Sequence, residues 1–234
     1  MTAVDNHLRS SEPMAAHLKI DFVSDVSCPW CAIGLSALEQ ALGRVANDVT
    51  AEIHFQPFEL NPQMPPGGQD ITEHLTQKYG SSPEQQAQAR EAIRQRGAEL
   101  GFVFRKAGRD RIYNTFDAHR LLHWAGLPQT RPAGLQPALK KALLEAYFTH
   151  GESPESHDVL QRAAASVGLD PARAEEILGG NEFADEVRER QRFYADAGIH
   201  AVPAAIINQR HLISGGQPVE VFEQALRQIA AGKA

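Results

Sequence analysis

At 234 residues, 42% of them hydrophobic, the chain holds enough apolar side chains for one large domain or two modest ones and needs no disulfides to hold it together. Its formal net charge of -6, with no basic cluster along the chain, argues against a nucleic-acid partner. No stretch is apolar enough to span a membrane, and MTAVDNHLRSSEPMAAH lacks the charged start and continuous apolar run of a secretory signal. Read as a native start, it points to a cytoplasmic protein, with residues 1–17 a loosely attached arm.

The first predicted strand is LKIDFVSD, where Leu18, Ile20, Phe22 and Val23 come close to alternation. Next comes Cys28-Pro29-Trp30-Cys31, which contains both cysteines of the chain. Ile33, Leu35, Leu38, Ala41, Leu42 and Val45 then fall near a 3.6-residue period, so the tetrapeptide occupies a strand-to-helix turn. Two thiols spaced this way can close a small disulfide ring. The unpaired amides of the first helical turn and the positive end of the helix dipole both favour a thiolate at the helix start. Cys28 is therefore the expected nucleophile and Cys31 the resolving thiol. Pro29 sits where a missing amide hydrogen costs nothing, and Trp30 is expected to form a partly exposed apolar rim; both are candidate substrate contacts. The alternative is a structural pair, either an inert disulfide or half of a zinc site completed by His119 and His123, one helical turn apart. The intervening sequence is far longer than a compact zinc finger uses, and a lone CxxC in a cytoplasmic chain is more often catalytic or redox-sensing.

A second strand is expected from about Ala51 to Leu60, with Ile53, Phe55 and Pro57 alternating against Glu52, His54 and Gln56; Pro57 marks an edge or a bulge. NPQMPPGGQD, residues 61–70, breaks regular structure and reads as a crossing between domains. From Asp70 to about Gly180 every periodic segment is helical. Asp70 with Glu73 resembles a capping box before a helix that stops at Gly80, and Ser82-Pro83 opens another that ends near Gly101. FVFRKAGRDRIYN is an irregular or extended connector. Helices follow over Thr115–Ala125, Leu135–His150 and Ser156–Val167, and Asp170-Pro171 opens one more. Past Gly180, Asn181 is expected to cap a charged helix reaching about Ala197. Ala204–Ile207 reads as a buried strand, Asn208-Gln209-Arg210 as a hairpin turn and His211–Ile213 as its partner. Pro218 opens a last helix with Val221, Phe222, Leu226 and Ile229 on one face.

Without the helical block, the order is β-α-β-α-β-β-α, an α/β thioredoxin fold. Residues 18–68 and 180–234 form the thioredoxin-like domain, and residues 69–179 an all-helical domain inserted after the second strand. SDVSCPWCAIG, NTFDAHRLLHWAG, GIHAVPAAIIN and LISGGQPVEVFEQAL occur in that order, and from Leu18 to the C-terminus the chain resembles the DsbA-like branch of the thioredoxin superfamily, FrnE type. The resemblance implies that Pro203 is the cis-proline facing the CxxC, with Val202 before it. An X-Pro bond is the common source of cis peptides, and here it would turn the Val202 amide and carbonyl toward an extended substrate. Asp25 matches an acidic position of the family, where a carboxylate relays a proton to or from Cys31 or caps the turn through backbone amides. Asn114, Thr115 and His119 match part of the helical-domain face near the active site, which makes Asn114 and His119 candidate substrate contacts.

Glutathione-using relatives in the same branch, the kappa-class transferases and 2-hydroxychromene-2-carboxylate isomerases, share the domain order but typically carry serine where this chain has Cys28. Keeping both cysteines favours a thiol–disulfide oxidoreductase, with disulfide isomerase activity through the same mixed disulfide on Cys28. Its expected partners are protein or small-molecule thiols and disulfides, with glutathione as a redox partner and no metal. With no cysteine outside the CxxC, electrons must pass to or from another molecule. The runner-up is a glutathione-dependent isomerase or transferase, in which residues 214–217, SGGQ, either bind a thiol's carboxylate at the last helix's N-terminus or only form a loop and cap. A zinc-binding or redox-sensing interaction protein is the third reading. The apolar content of the insert permits a homodimer without requiring one.

Overall fold

Near-continuous burial from Ile20 to Ser24 makes β1 (Ala16–Ser24) a central strand. In the computed structural model, which describes residues 15–233, it pairs in parallel with β2 (Val49–Pro57). Ala16 and His17 thus belong to the strand and not to the arm expected over residues 1–17; the rest of that arm, apart from Ala15, lies outside the described residues. The chain crosses between the two strands through α1 (Pro29–Arg44). β2 ends at Pro57, short of Leu60, and lies at the sheet edge, where a proline costs no ladder bond.

The insert begins with β3 (Gln69–Asp70), which pairs antiparallel with β4 (Arg111–Ile112), so it is not purely helical. The extended connector after the second insert helix returns to the segment where the insert starts and zips to it. Asp70 caps α2 (Ile71–Tyr79) by accepting from the Glu73 amide at 3.0 Å, and Gly80 closes it at φ 65°. Ser82 and Gln85 form a reciprocal capping box on α3 (Pro83–Glu99). α4 (Phe116–Gly126) and α5 (Gln136–Glu145) follow, and a widened turn over Ala146–His150 extends α5 to Gly151. α6 (His157–Ser166) and α7 (Pro171–Gly179) complete the block.

Asn181 does not cap α8 (Ala184–Asp196). Phe183 precedes that helix at φ 63°, and Asn181 offers only its backbone carbonyl, to the Ala184 amide at 3.1 Å. β5 (Ala204–Ile207) then pairs antiparallel with β1, and β6 (His211–Ser214) with β5, giving the order β2-β1-β5-β6. Asn208 and Gln209 turn the hairpin at φ 52° and 58°. α9 (Val219–Ala230) buries Val219, Phe222 and Leu226, a spacing of three and four residues; Val221, expected on that face, is exposed.

One apolar core lies between the sheet, α1 and α9, and takes in Leu144, Tyr147 and Phe148 from the insert. The other lies within the insert around Leu121, Leu139, Leu143, Leu160 and Ile177, and it also takes in Val26. The turn leading to the cysteines is thus anchored in the insert's own core. A second tie is polar. Gln136 lies along the β2 edge, where its Oε1 accepts from the Phe55 amide at 2.9 Å and its Nε2 donates to the carbonyls of Phe55 and Leu122, each at 3.0 Å. One side chain does here what a neighbouring strand would do for an otherwise open edge.

Candidate active site

Cys28 is the residue that starts α1, with extended backbone angles, and its Sγ accepts from the Cys31 amide at 3.3 Å. This is the helix-start geometry expected from the sequence. On its other side, Cys28 Sγ lies 3.8 Å from the Val202 carbonyl, and the Val202-Pro203 peptide is cis. Both cysteines are free thiols and both are buried, whereas Trp30 is 44% exposed at the rim. Pro203 is buried, Val202 half-buried.

Close packing fixes this arrangement. A Cβ on Gly34 would come within 2.9 Å of Pro203 Cγ and 3.4 Å of Gly216 Cα, so only glycine lets α1 approach the proline without displacement. The Gly215 amide donates to the Pro203 carbonyl at 2.8 Å, and a Cβ on Gly216 would lie 3.1 Å from the Trp30 carbonyl. The SGGQ loop is therefore a seat for the cis-proline.

Beneath the turn, Asp25 is fully buried. Its carboxylate accepts from the Ser27 amide at 3.2 Å, the Ser27 hydroxyl at 2.9 Å and the Leu60 amide at 2.8 Å, and it lies 3.5 Å from His119 Nε2. Burial alone would raise its pKa, but His119 together with the Leu60 and Ser27 amides outweighs that and holds it at about 2. Asp25 thus caps the turn as an ionised group. His119, expected as a substrate contact, is 2% exposed and faces Asp25. Asn114, expected as another, has an amide nitrogen that donates to the Met64 carbonyl at 3.3 Å and an oxygen that accepts from the Phe116 amide at 2.9 Å, so it supports the start of α4.

Lys140, on α5, is the group in this cluster that motif reasoning missed. It is completely buried, its Nζ has no hydrogen-bond partner, and it lies 5.9 Å from the centre of the Phe55 ring. Burial lowers its pKa, while the charges of Cys31, Asp25 and Cys28 partly restore it. Burial also pushes the Cys31 thiol well above the ordinary thiol value; Cys28 adds to the effect and Lys140 opposes it. The available signal is that Lys140 falls on the apolar face with Gln136, Leu143, Leu144 and Tyr147, a place where a lysine must find compensation. Arg109 was also missed. Its Nη1 donates to the Ser27 carbonyl at 2.9 Å and its guanidinium lies over the rings of Tyr147 and Phe148.

The zinc alternative is not assembled: His119 turns to Asp25, and the His123 ring lies against Phe183 with centroids 5.3 Å apart. Among the described residues, no three or more histidine, cysteine, aspartate or glutamate side chains converge in a way that could hold a metal. Beside Pro29, a largely apolar cavity of about 250 Å³ opens between α2, α3 and the connector, lined by Leu75, Ile93, Phe104 and Phe148 and bordered by Arg105 and Arg109. Among the described residues, no helix is long and apolar enough to cross a membrane.

A dithiol at a helix start, faced by a cis-proline on the neighbouring strand, defines a thioredoxin-type thiol centre. Residues 19–227 match the DSBA-like thioredoxin domain, and the chain belongs to that family. It is similar to a probable DsbA oxidoreductase from Streptomyces coelicolor, with 33% identity over 93% of this chain and 92% of that one and a TM-score of 0.83. It is 27% identical to the uncharacterized protein YwbO of Bacillus subtilis, over 91% of this chain and 96% of that protein. The cytosolic disulfide reductase DsbM from Pseudomonas aeruginosa, solved with GSH, shares the fold: 18% identity, 91% of this chain and 99% of that one, TM-score 0.63. The family and its oxidoreductase members make this chain an enzyme of the oxidoreductase or isomerase kind.

Proposed function

We propose that the chain is a thiol–disulfide oxidoreductase that works through a mixed disulfide on Cys28. The observation that carries this reading is the placement of Cys28 Sγ between the Cys31 amide at 3.3 Å and the Val202 carbonyl at 3.8 Å. In the reducing direction, the Cys28 thiolate attacks one sulfur of a substrate disulfide and expels the other as a thiolate. Cys31 then loses its proton and attacks Cys28 Sγ, which releases the second substrate thiolate and leaves a Cys28–Cys31 disulfide. The oxidising direction runs the same steps backward.

The raised pKa of Cys31 means that the resolving step needs a proton acceptor. Asp25, held at about 2, is a poor base and serves as a counter-ion. Lys140, whose ammonium form is disfavoured by burial and whose charge is felt by Cys31, is the group suited to take that proton. The Val202 backbone offers an extended substrate a pairing edge, and Pro29 and Trp30 form the rim it meets. Glutathione is the proposed redox partner, by analogy with the DsbM structure that contains it.

Equilibration in glutathione buffers tests this reading, with a Cys31→Ser variant assayed for a trapped adduct. A reversible two-electron couple and an adduct on Cys28 are expected. Failure to form the disulfide under oxidising buffer, or full activity without Cys31, would reject it in favour of glutathione-dependent isomerisation.

A further inference from the structure

Between β2, the start of α5, α4 and α8 lies a second cavity, of about 210 Å³, which shares Lys140 with the thiol chemistry. Its basic lining consists of His54, His119, His123, Lys140 and Arg190, and none of the described residues lining it is acidic. In a chain of net charge -6, a wall that carries a lysine and an arginine and no acidic residue is not what the average surface offers. Two nitrogens on its wall, His54 Nε2 and Lys140 Nζ, are buried without a hydrogen-bond partner, while His119 Nε2 is turned to Asp25 at 3.5 Å. A buried donor left unpaired costs about 1–3 kcal/mol, and more when charged, so their convergence on one space calls for an acceptor in it.

The nearest carboxylates do not meet this need. Glu52 faces His54 at 3.0 Å from the exposed side without hydrogen-bond geometry, and Asp25 stands 3.5 Å from His119 with its oxygens already held by Ser27 and Leu60. Glu186 and Arg190 act on His123 from α8. Gln136, also on the wall, has its amide committed to Phe55 and Leu122. The space holds a few waters or one compact ion, being smaller than the roughly 300 Å³ at which pockets for drug-sized ligands begin.

We infer that this cavity is a binding site for a small oxyanion, of the phosphate or compact carboxylate class, held by Lys140 and His54. The site stands on the geometry of this wall and not on the Cys28–Cys31 couple proposed above.

Calorimetric titration of inorganic phosphate, and separately of acetate, into the chain tests the site. Saturable one-site binding is expected with at least one probe. Lys140→Met should weaken it by about tenfold or more, the loss of one charged hydrogen bond. His54→Ala, away from the cysteines, should weaken it several-fold with thiol exchange unchanged. Absence of saturable binding by either anion, or affinity unaltered in both variants, would overturn the site. Because binding is read directly and not through turnover, its failure leaves the thiol chemistry standing, and a failure of the thiol chemistry appears instead as no disulfide in the glutathione equilibration.

Discussion

The sheet half and the helical insert supply the cysteines with different kinds of atom. From the sheet half come close-packed backbone groups: the Cys31 amide, the Val202 carbonyl, and the glycines at 34, 215 and 216 that let Pro203 approach. From the insert come ionisable side chains, His119 beside Asp25, the buried Lys140, and Arg109 on the Ser27 carbonyl. Geometry is set by the first region and electrostatics by the second. Changes in the sheet half should therefore alter whether the reaction occurs, and changes in the insert how it depends on pH and anions.

The sharpest test of that division is Cys28→Ser, which should remove thiol–disulfide turnover by about a thousandfold or more, since a hydroxyl does not replace the thiolate; a coupled glutathione assay reads it. Gln136→Leu comes next. It leaves the Phe55 amide and carbonyl unpaired at the β2 edge and should cost about 3 kcal/mol, seen as a lower urea midpoint. Gly34→Ala should cost about 2 kcal/mol by forcing α1 away from Pro203. Unlike the insert variants, it should also lower the rate of mixed-disulfide formation. Asp25 contributes stability that is fully present above its ordinary value of 3.8 and is lost as pH falls through about 2. Asp25→Asn should accordingly flatten the unfolding free energy between those two values, by about 2 kcal/mol. The smallest effect is expected from Lys140→Met. The pKa of Lys140 is depressed by burial, so its cost to folding is present below the unfolded lysine value and vanishes above it. The substitution should stabilise the fold by about 1 kcal/mol at neutral pH while slowing the resolving step. If instead it destabilises, Lys140 contributes packing as well as charge.

This difference between regions also governs what could be read in advance. The cysteine turn was legible because chain neighbours build it, a CxxC between a strand and a helix, whereas Pro203, far along the chain, was placed opposite it by the family resemblance. The Asn208-Gln209 turn was legible for the same reason. Lys140 and Gln136 were not, because each acts on residues far away in sequence and sits in a helix whose period shows only that the face is buried. The resemblance put His119 on the face near the active site but did not show its contact with Asp25, since a family stretch identifies a position without showing which way it faces. Asn181 misled because a good capping residue was present in a place where the backbone took another route, with Phe183 at positive φ. The β3–β4 pair escaped notice because two residues on each side carry no periodicity.

The hold of Gln136 on Phe55 has a kinetic consequence. A backbone amide protected by its own sheet exchanges its hydrogen for deuterium only when the sheet opens, but the Phe55 amide is protected by a side chain from α5. Its exchange therefore reports the undocking of the insert, as distinct from the melting of the sheet, at a single site.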